Sequence, residues 1–307
     1  MIYTLTLNPA LDRELQVPEI AFDAVLRASS QRVDCGGKGF NVSRALAGLG
    51  AESVALGLVG GFAGQQLTAG LAALGIPTDF VSIAGETRTN VTIVGPGHHI
   101  KVNEAGPTIR PEELARLVSA VKATARAGDW WVLSGSLPPG APDRLYADLI
   151  AILKAAGARA VLDTSGPALR HACAAGPFLA KPNAAEATEL TGHRVESADD
   201  VGPALDAIHA GGVSTVLVSL GKRGAVLSDG TNRWRARPPA IEERNPIGAG
   251  DAMVAGLVWA LSRSLAPEEA LRWGVASGAA AAAMDGTAAG SREAVEALTR
   301  RVEIAPL

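Results

Sequence analysis

Residues 245–256 read NPIGAGDAMVAG. A carboxylate, Asp251, follows directly on Gly248, Ala249 and Gly250, just where an apolar run opens. The first turn of a helix leaves backbone N–H groups unpaired and carries partial positive charge, so it attracts anions. Glycines there let the backbone approach a phosphate closely and take dihedrals that other residues avoid. Two roles suit an aspartate at this place. It can cap the helix. Or it can act as a general base, taking the proton from a hydroxyl that attacks a phosphoryl group held by the amides. Spacing alone leaves both open.

A second glycine turn, GGKGFN at 36–41, also opens a helical pattern. The same physics makes it an anion or polyol site, with Lys38 as a charge and Asn41 as a hydrogen-bonding side chain; the plainer reading is a strand-to-helix connection. No GxxxxGK[ST] string occurs. GLVGGFAG at 57–64 misses the GxGxxG spacing, and no acidic residue ends the next strand about 20 residues on, as a dinucleotide site needs. It reads as structural. Trp130 and Trp131 read as packing. His98 and His99 read as solvated residues of a hairpin turn, and Cys35 as an inert thiol beside the second glycine turn.

The elements that must position these residues follow from pattern. IYTLTL (2–7) is a buried strand ended by Asn8-Pro9. Residues 36–50 form a helix with Gly50 near its C-terminus. Strand 53–60 and helix 65–75 follow, and 88–95 with 99–104 form a hairpin around Pro96-Gly97. From about 110 the alternation is regular. Helix 111–128 precedes strand 129–136, and helix 143–157 precedes strand 159–165. Strand 177–183, helix 199–212 and strands 214–221 and 224–230 come next, and helices at 251–263, 267–283 and 291–301 close the chain. Alternation with short loops predicts an α/β fold, a mostly parallel sheet with helices on both faces. The irregular pieces at about 10–35 and 87–105 are expected to form a small β-rich lid on a single domain spanning 1–307.

Composition sets the limits. At 307 residues, 48% hydrophobic and 19% charged, the chain reads as soluble and globular. A net charge of -3 with no charged tail argues against nucleic acid as the main partner. Two cysteines without metal-ligand spacing suggest a reduced, cytoplasmic setting. The N-terminus reads as a strand and not a signal peptide, and the Ala-rich run near 275–284 is too short and too weakly apolar to span a bilayer.

Two long motifs, GGKGFNVSRAL and GAGDAMVAG, resemble in order the N- and C-terminal signatures of the ribokinase-like, phosphofructokinase-B sugar kinase family, and the similarity runs nearly end to end. TLNPALD at 6–12 and LSGSLPPG at 133–140 are similar to its ketohexose-phosphate branch of 1-phosphofructokinases, tagatose-6-phosphate kinases and minor 6-phosphofructokinases. The resemblance implies a ribokinase-like fold and an ATP-dependent kinase that converts a ketohexose monophosphate to the bisphosphate. It gives Asp251 the role of catalytic base and makes the amides of Gly248, Ala249 and Gly250 an anion hole. Asp12, Gly37, Lys38, Gly39 and Asn41 would contact the sugar. Arg88, in TRTN, would bind the phosphate already on the substrate, and Lys101 would add a lid cation. KPNAAE at 181–186 resembles the NxxE motif. It puts Lys181 and Asn183 at the nucleotide and Glu186 at Mg²⁺ through water. SLGKRGA at 219–225 resembles the nucleotide loop, with Ser219, Gly221 and Gly224.

One departure stands out. Many relatives carry Asp-Thr or Ser-Thr/Val before the GAGD turn; here Asn245-Pro246-Ile247 is similar to tagatose-6-phosphate kinases. The plain segment 276–286 leaves adenine contacts to backbone. The rival readings are a kinase of an unphosphorylated sugar or nucleoside, a non-catalytic sugar-phosphate-binding protein and, least favoured, a dinucleotide enzyme. A small β lid with a second apolar face, among Val17, Ile20, Val91 and Ile93, is expected to pair two copies into a homodimer.

Overall fold

The computed structural model describes residues 1–284 and 289–307. The chain starts with β1 (Ile2–Thr6), β2 (Ala10–Gln16), β3 (Ser30–Gly36), α1 (Lys38–Gly48), β4 (Val54–Val59), α2 (Gly61–Ala73) and β5 (Thr78–Ser82). It continues through β6 (Arg88–Gly95), β7 (His98–Val102), α3 (Pro111–Thr124), β8 (Trp130–Ser134), α4 (Leu145–Ala155), β9 (Arg159–Asp163), α5 (Gly166–Ala174) and β10 (Leu179–Ala180). Then come α6 (Ala184–Thr191), α7 (Gly202–Ala210), β11 (Thr215–Ser219), β12 (Ala225–Ser228), β13 (Arg233–Arg237), α8 (Ala249–Ser262), α9 (Pro267–Ala282), α10 (Arg292–Thr299) and β14 (Glu303–Pro306).

The large sheet runs β14-β13-β12-β11-β10-β9-β8-β1-β4-β5. From β5 to β11 every pairing is parallel, and the last three strands join antiparallel. Helices cover both faces. Leu117 and Val121 of α3, Tyr146 and Leu149 of α4 and Leu205 of α7 share one core with the sheet. Val42 and Leu46 of α1, Val254 and Leu257 of α8 and Val275 of α9 build the other. Strands buried on both sides must be apolar throughout, as WWVL in β8 is. Trp131 stacks on Tyr3 with ring centroids 4.5 Å apart and Trp130 meets Phe178 edge-on, so both tryptophans pack. β1 has β4 on one side and β8 on the other, so the strand order reverses there. Open α/β sheets bind ligands at the carboxyl ends of strands at such a switch.

A separate small sheet, β3-β2-β6-β7, comes from the two irregular segments. Its hairpin turns at Gly97, in the left-handed region, and His98 and His99 are exposed. Among the described residues no helix is long and apolar enough to cross a membrane.

Several elements differ from the pattern reading. α2 starts at Gly61, four residues before the expected start. The strands β9 and β10 are separated by α5, and α6 and the strands β5, β13 and β14 are additions. α5 opens on Gly166-Pro167, a pair that looks like a break but suits the first helical turn, where proline loses no hydrogen bond. β13, RWRAR, alternates charge because Arg233 and Arg235 meet Asp206 and Asp199 outside the core.

Candidate active site

Five strand ends converge on one edge. Thr6 closes β1, Ser134 β8, Asp163 β9 and Ser219 β11, and Lys181 follows directly on β10. Thr6, Ser134 and Asp163 stand side by side in the ladder, so their side chains share one face.

The second glycine turn lies over the end of β1. Gly37 has φ 137°, and a side chain there would also press on Thr6 Cγ2. A β-carbon on Gly39 would come 2.6 Å from Thr6 Oγ1. Glycine at both places is what lets α1 start this close to the strand. Lys38, the first residue of α1, then turns to Asp163: Nζ to Oδ1 is 3.0 Å. Lys181 reaches the same oxygen at 3.2 Å. Burial opposes charge on Asp163, but the two ammonium groups win and hold its carboxyl below the ordinary range.

The GAGD turn answers the capping question. Gly248 precedes α8 with φ 83° and Asp251 is the third helical residue. Among the described residues the hydrogen bond of its carboxylate goes to a side chain of α1 and not to an amide of its own helix. Asp251 is buried, at 6% exposure, and accepts a 2.8 Å hydrogen bond from Asn41 Nδ2. Asn41 is itself held by Arg44 Nη1 at 2.9 Å. Burial pushes the Asp251 carboxyl up to about 6, the charge of Asp163 adds to the push, and Asn41, Lys38 and Lys181 oppose it. A carboxyl poised near neutrality suits a proton acceptor. In the hole itself, Ala249 N donates to Pro246 O at 3.3 Å. The amides of Gly248 and Gly250 have no partner among the described residues.

The small sheet carries the other residues expected at the sugar. Asp12 lies across Gly36 and accepts from Asn90 Nδ2 at 2.8 Å. Arg88 opens β6, and its Nη1 and Nη2 donate to the carbonyls of Glu104 and Asn8, each at 2.9 Å. Three of its five N–H groups remain. Lys101 of β7 pairs with Thr92 on the face that also carries Asp12, and it is exposed.

On the nucleotide side, Asn183 and Glu186 form a reciprocal cap of α6. Asn183 N donates to Glu186 Oε2 at 2.8 Å, and Glu186 N donates to Asn183 Oδ1 at 2.9 Å. Asn183 bridges to Ser219 in parallel, so the two loops adjoin. Gly221 and Gly224 have φ 60° and 93° and fold that loop into a single 3₁₀ turn. Gly224 also packs on the carbonyl of Ala236. The segment 276–286 is buried in α9 as far as Ala282, and its last two residues lie outside the described residues.

Asp163 escaped the sequence reading, although a carboxylate ending an apolar strand, in VLDTS, was the available signal. Thr6 and Ser134 lie inside TLNPALD and LSGSLPPG but did not stand out as site residues.

Known proteins resemble this chain along nearly its whole length. The model of the pfkB family of carbohydrate kinases matches residues 6–294. A 1-phosphofructokinase of Rhodobacter capsulatus is 38% identical over 309 residues, covering 100% of this chain and 98% of the relative. The ATP-dependent 6-phosphofructokinase isozyme 2 of Escherichia coli is 35% identical over 290 residues, covering 93% and 94%. A crystal structure of phosphofructokinase-2 from Escherichia coli, in complex with potassium, superposes with TM-score 0.92 at 34% identity over 98% of both chains. With its ribokinase-like fold, its two glycine turns and a match along nearly its whole length, the chain belongs to the pfkB family of carbohydrate kinases.

Proposed function

We propose that this chain is an ATP-dependent kinase that phosphorylates a ketohexose monophosphate, tagatose 6-phosphate, fructose 1-phosphate or fructose 6-phosphate, to the bisphosphate. The observation that carries the reading is the Asp251 carboxyl, buried at the mouth of the glycine turn and oriented by Asn41 instead of capping its helix. Asp251 accepts the proton of the attacking hydroxyl. The amides of Gly248 and Gly250 take the charge that develops on the phosphoryl group. The small sheet closes as a lid that excludes water, which would otherwise take the phosphoryl group. The test is ADP release over fructose 1-phosphate, fructose 6-phosphate, tagatose 6-phosphate, fructose and ribose. One of the three phosphates should win in kcat/KM; a win for fructose or ribose would favour an unphosphorylated-sugar kinase. The carbonyl contacts of Arg88 keep that rival in play, because a guanidinium that braces backbone has another reason to be there.

Mg²⁺ fits the residues present. Among the described residues no group of three His, Cys, Asp or Glu side chains is placed to hold a metal. Mg²⁺ needs none, because it keeps several waters and binds through one or two carboxylates plus phosphates. Glu186 would hold it through water, and the bound ion would neutralise charge on the nucleotide phosphates. Glu186→Gln is therefore expected to raise the Mg²⁺ concentration for half-maximal rate more than it raises the sugar KM. An unchanged Mg²⁺ titration with a raised sugar KM would contradict this.

The chain is further proposed to be a homodimer joined through its lids. In the register of the small sheet Leu15 and Ile100 flank Ile93, Val102 faces Val91, and Val33 lies across from Arg13 beside them. One face is thus an apolar stripe on which Val102 is 57% exposed, whereas Val17, expected on that face, is buried at 7% exposure. An open-edged sheet with such a face invites a twin. Sedimentation at micromolar concentration should give a dimer. A monomer alone would remove the idea.

A further inference from the structure

We propose that Asp163 is a positioning residue that holds Lys38 and Lys181 as one paired cationic clamp along the path of the transferring phosphoryl group. The inference rests on the kinase reading above. One carboxylate oxygen receives both ammonium groups, one from the start of α1 and one from the residue after β10. Lys38 comes from the start of α1, in the turn that faces the acceptor. Lys181 comes from the loop that leads to Asn183 and the nucleotide side, and its Nζ would stand 3.9 Å from a β-carbon on Gly250. The two cations thus meet at one oxygen, and Lys181 stands beside the free amides of the GAGD turn.

A lysine is a point charge on a flexible stem and needs a tether to be positioned. Asp163 is a rigid tether, because it ends a central strand and is 1% exposed. Its other oxygen, Oδ2, has no hydrogen-bond partner, nor have its ladder neighbours Ser134 Oγ and Thr6 Oγ1. Among the described residues, the hydrogen bonds and ion pairs of the carboxylate thus go to the two lysines. The lysines differ in exposure. The Lys181 side chain is 5% exposed and needs a counter-charge, whereas the Lys38 side chain is 41% exposed and keeps donors free for a ligand. Two ammonium groups against the Asp163 and Asp251 carboxylates balance before transfer, and once Asp251 has taken the proton one positive charge is left for the phosphoryl group.

The clamp also sets the field at Asp251. The groups that face Asp251 are Asp163, Lys38, Lys181 and Asn41. Lys38 also feels Glu186, and Asp163 faces Tyr146. Without the Asp163 charge both lysines would act on Asp251 unopposed and weaken it as a base.

The test is the pH profile of kcat/KM for Asp163→Asn and Asp163→Glu, with melting curves beside it. Wild-type turnover is established first on the sugar panel, so failure of the kinase reading shows there and failure of this inference shows only in the variants. Asp163→Asn should lose about 10- to 100-fold in kcat, with less change in sugar KM, and its acid limb should move down by about one pH unit. A purely structural carboxylate would not move that limb. A folded Asp163→Asn enzyme with wild-type kcat and an unmoved limb would overturn the proposal. Loss of the partner of a buried lysine can unfold the variant. Asp163→Glu keeps the charge and displaces it by one methylene. It should keep the acid limb and lose about tenfold in kcat. If Asp163→Asn does not fold, an Asp163→Glu enzyme with wild-type kcat overturns the proposal on its own.

Discussion

Asp251→Asn is expected to lose roughly 10²–10⁴-fold in kcat, the usual contribution of a general base, with KM for sugar and nucleotide little changed. The substitution is close to isosteric, and the new amide oxygen can still accept the 2.8 Å bond from Asn41 Nδ2. No cap is lost, because the carboxylate bonds to Asn41 and not to an amide of its own helix. The pH dependence follows from the same residue. A base must be ionised, so wild-type kcat/KM should fall as pH drops below about 6, where burial and Asp163 have pushed the Asp251 carboxyl. Stability moves in the opposite sense. The folded-state value lies above the ordinary aspartate value of about 3.9, so folding favours the protonated form and its contribution declines as pH rises from about 4 to about 6. The amide is spared that loss. Asp251→Asn should therefore melt higher than wild type at pH 7, and the gap should narrow at pH 5. A folded variant with near-wild-type turnover would mean that the base lies elsewhere.

Arg88→Ala is expected to raise KM for the sugar phosphate by roughly 10- to 150-fold while leaving KM for ATP nearly alone. A charge-assisted hydrogen bond contributes about 1.5–3 kcal/mol, and a guanidinium can give a phosphate two in parallel. The contacts in the structure sharpen the test. Arg88 already braces Glu104 O and Asn8 O, which ties the start of β6 to the segment after β1. Its loss can therefore act in two ways. If the guanidinium binds the substrate phosphate, the effect should be confined to phosphorylated sugars, and the weak turnover of free fructose should hardly change. If it is only a brace, fructose and its phosphates should suffer alike, and the phosphate-binding role is lost. Arg88→Lys separates charge from geometry, because an ammonium keeps the charge but cannot span two carbonyls in a fixed fork.

The legible parts of the molecule are those where local physics and position agree. Gly248 and Gly37 mark turns that only glycine accommodates, so both site turns stand out from the chain. The double tryptophan in β8 and the regular helices α3 and α4 follow from apolar periodicity. The elements that escaped carry weak patterns. α6 has only Ala187 buried along eight residues, β5 is an edge strand of mixed polarity, and β14 contains a proline tolerated at an edge. The site was legible as motifs but not as contacts. The resemblance gives Asn41 a sugar contact; its amide hydrogen bond to Asp251, 210 residues away in sequence, could be seen only in the fold. Asp163 belongs to no glycine turn, and its meaning comes only from two lysines that the fold brings to one of its oxygens.

The most direct measurement is ³¹P NMR of the products formed from ATP and each of fructose 1-phosphate, fructose 6-phosphate and tagatose 6-phosphate. It separates transfer from hydrolysis, which ADP release alone does not. Transfer to a sugar phosphate predicts, for at least one of the three, the two phosphomonoester signals of a bisphosphate growing in step with ADP, and growing roughly 10²–10⁴-fold more slowly with Asp251→Asn. Inorganic phosphate in step with ADP and no bisphosphate from any of the three would contradict it.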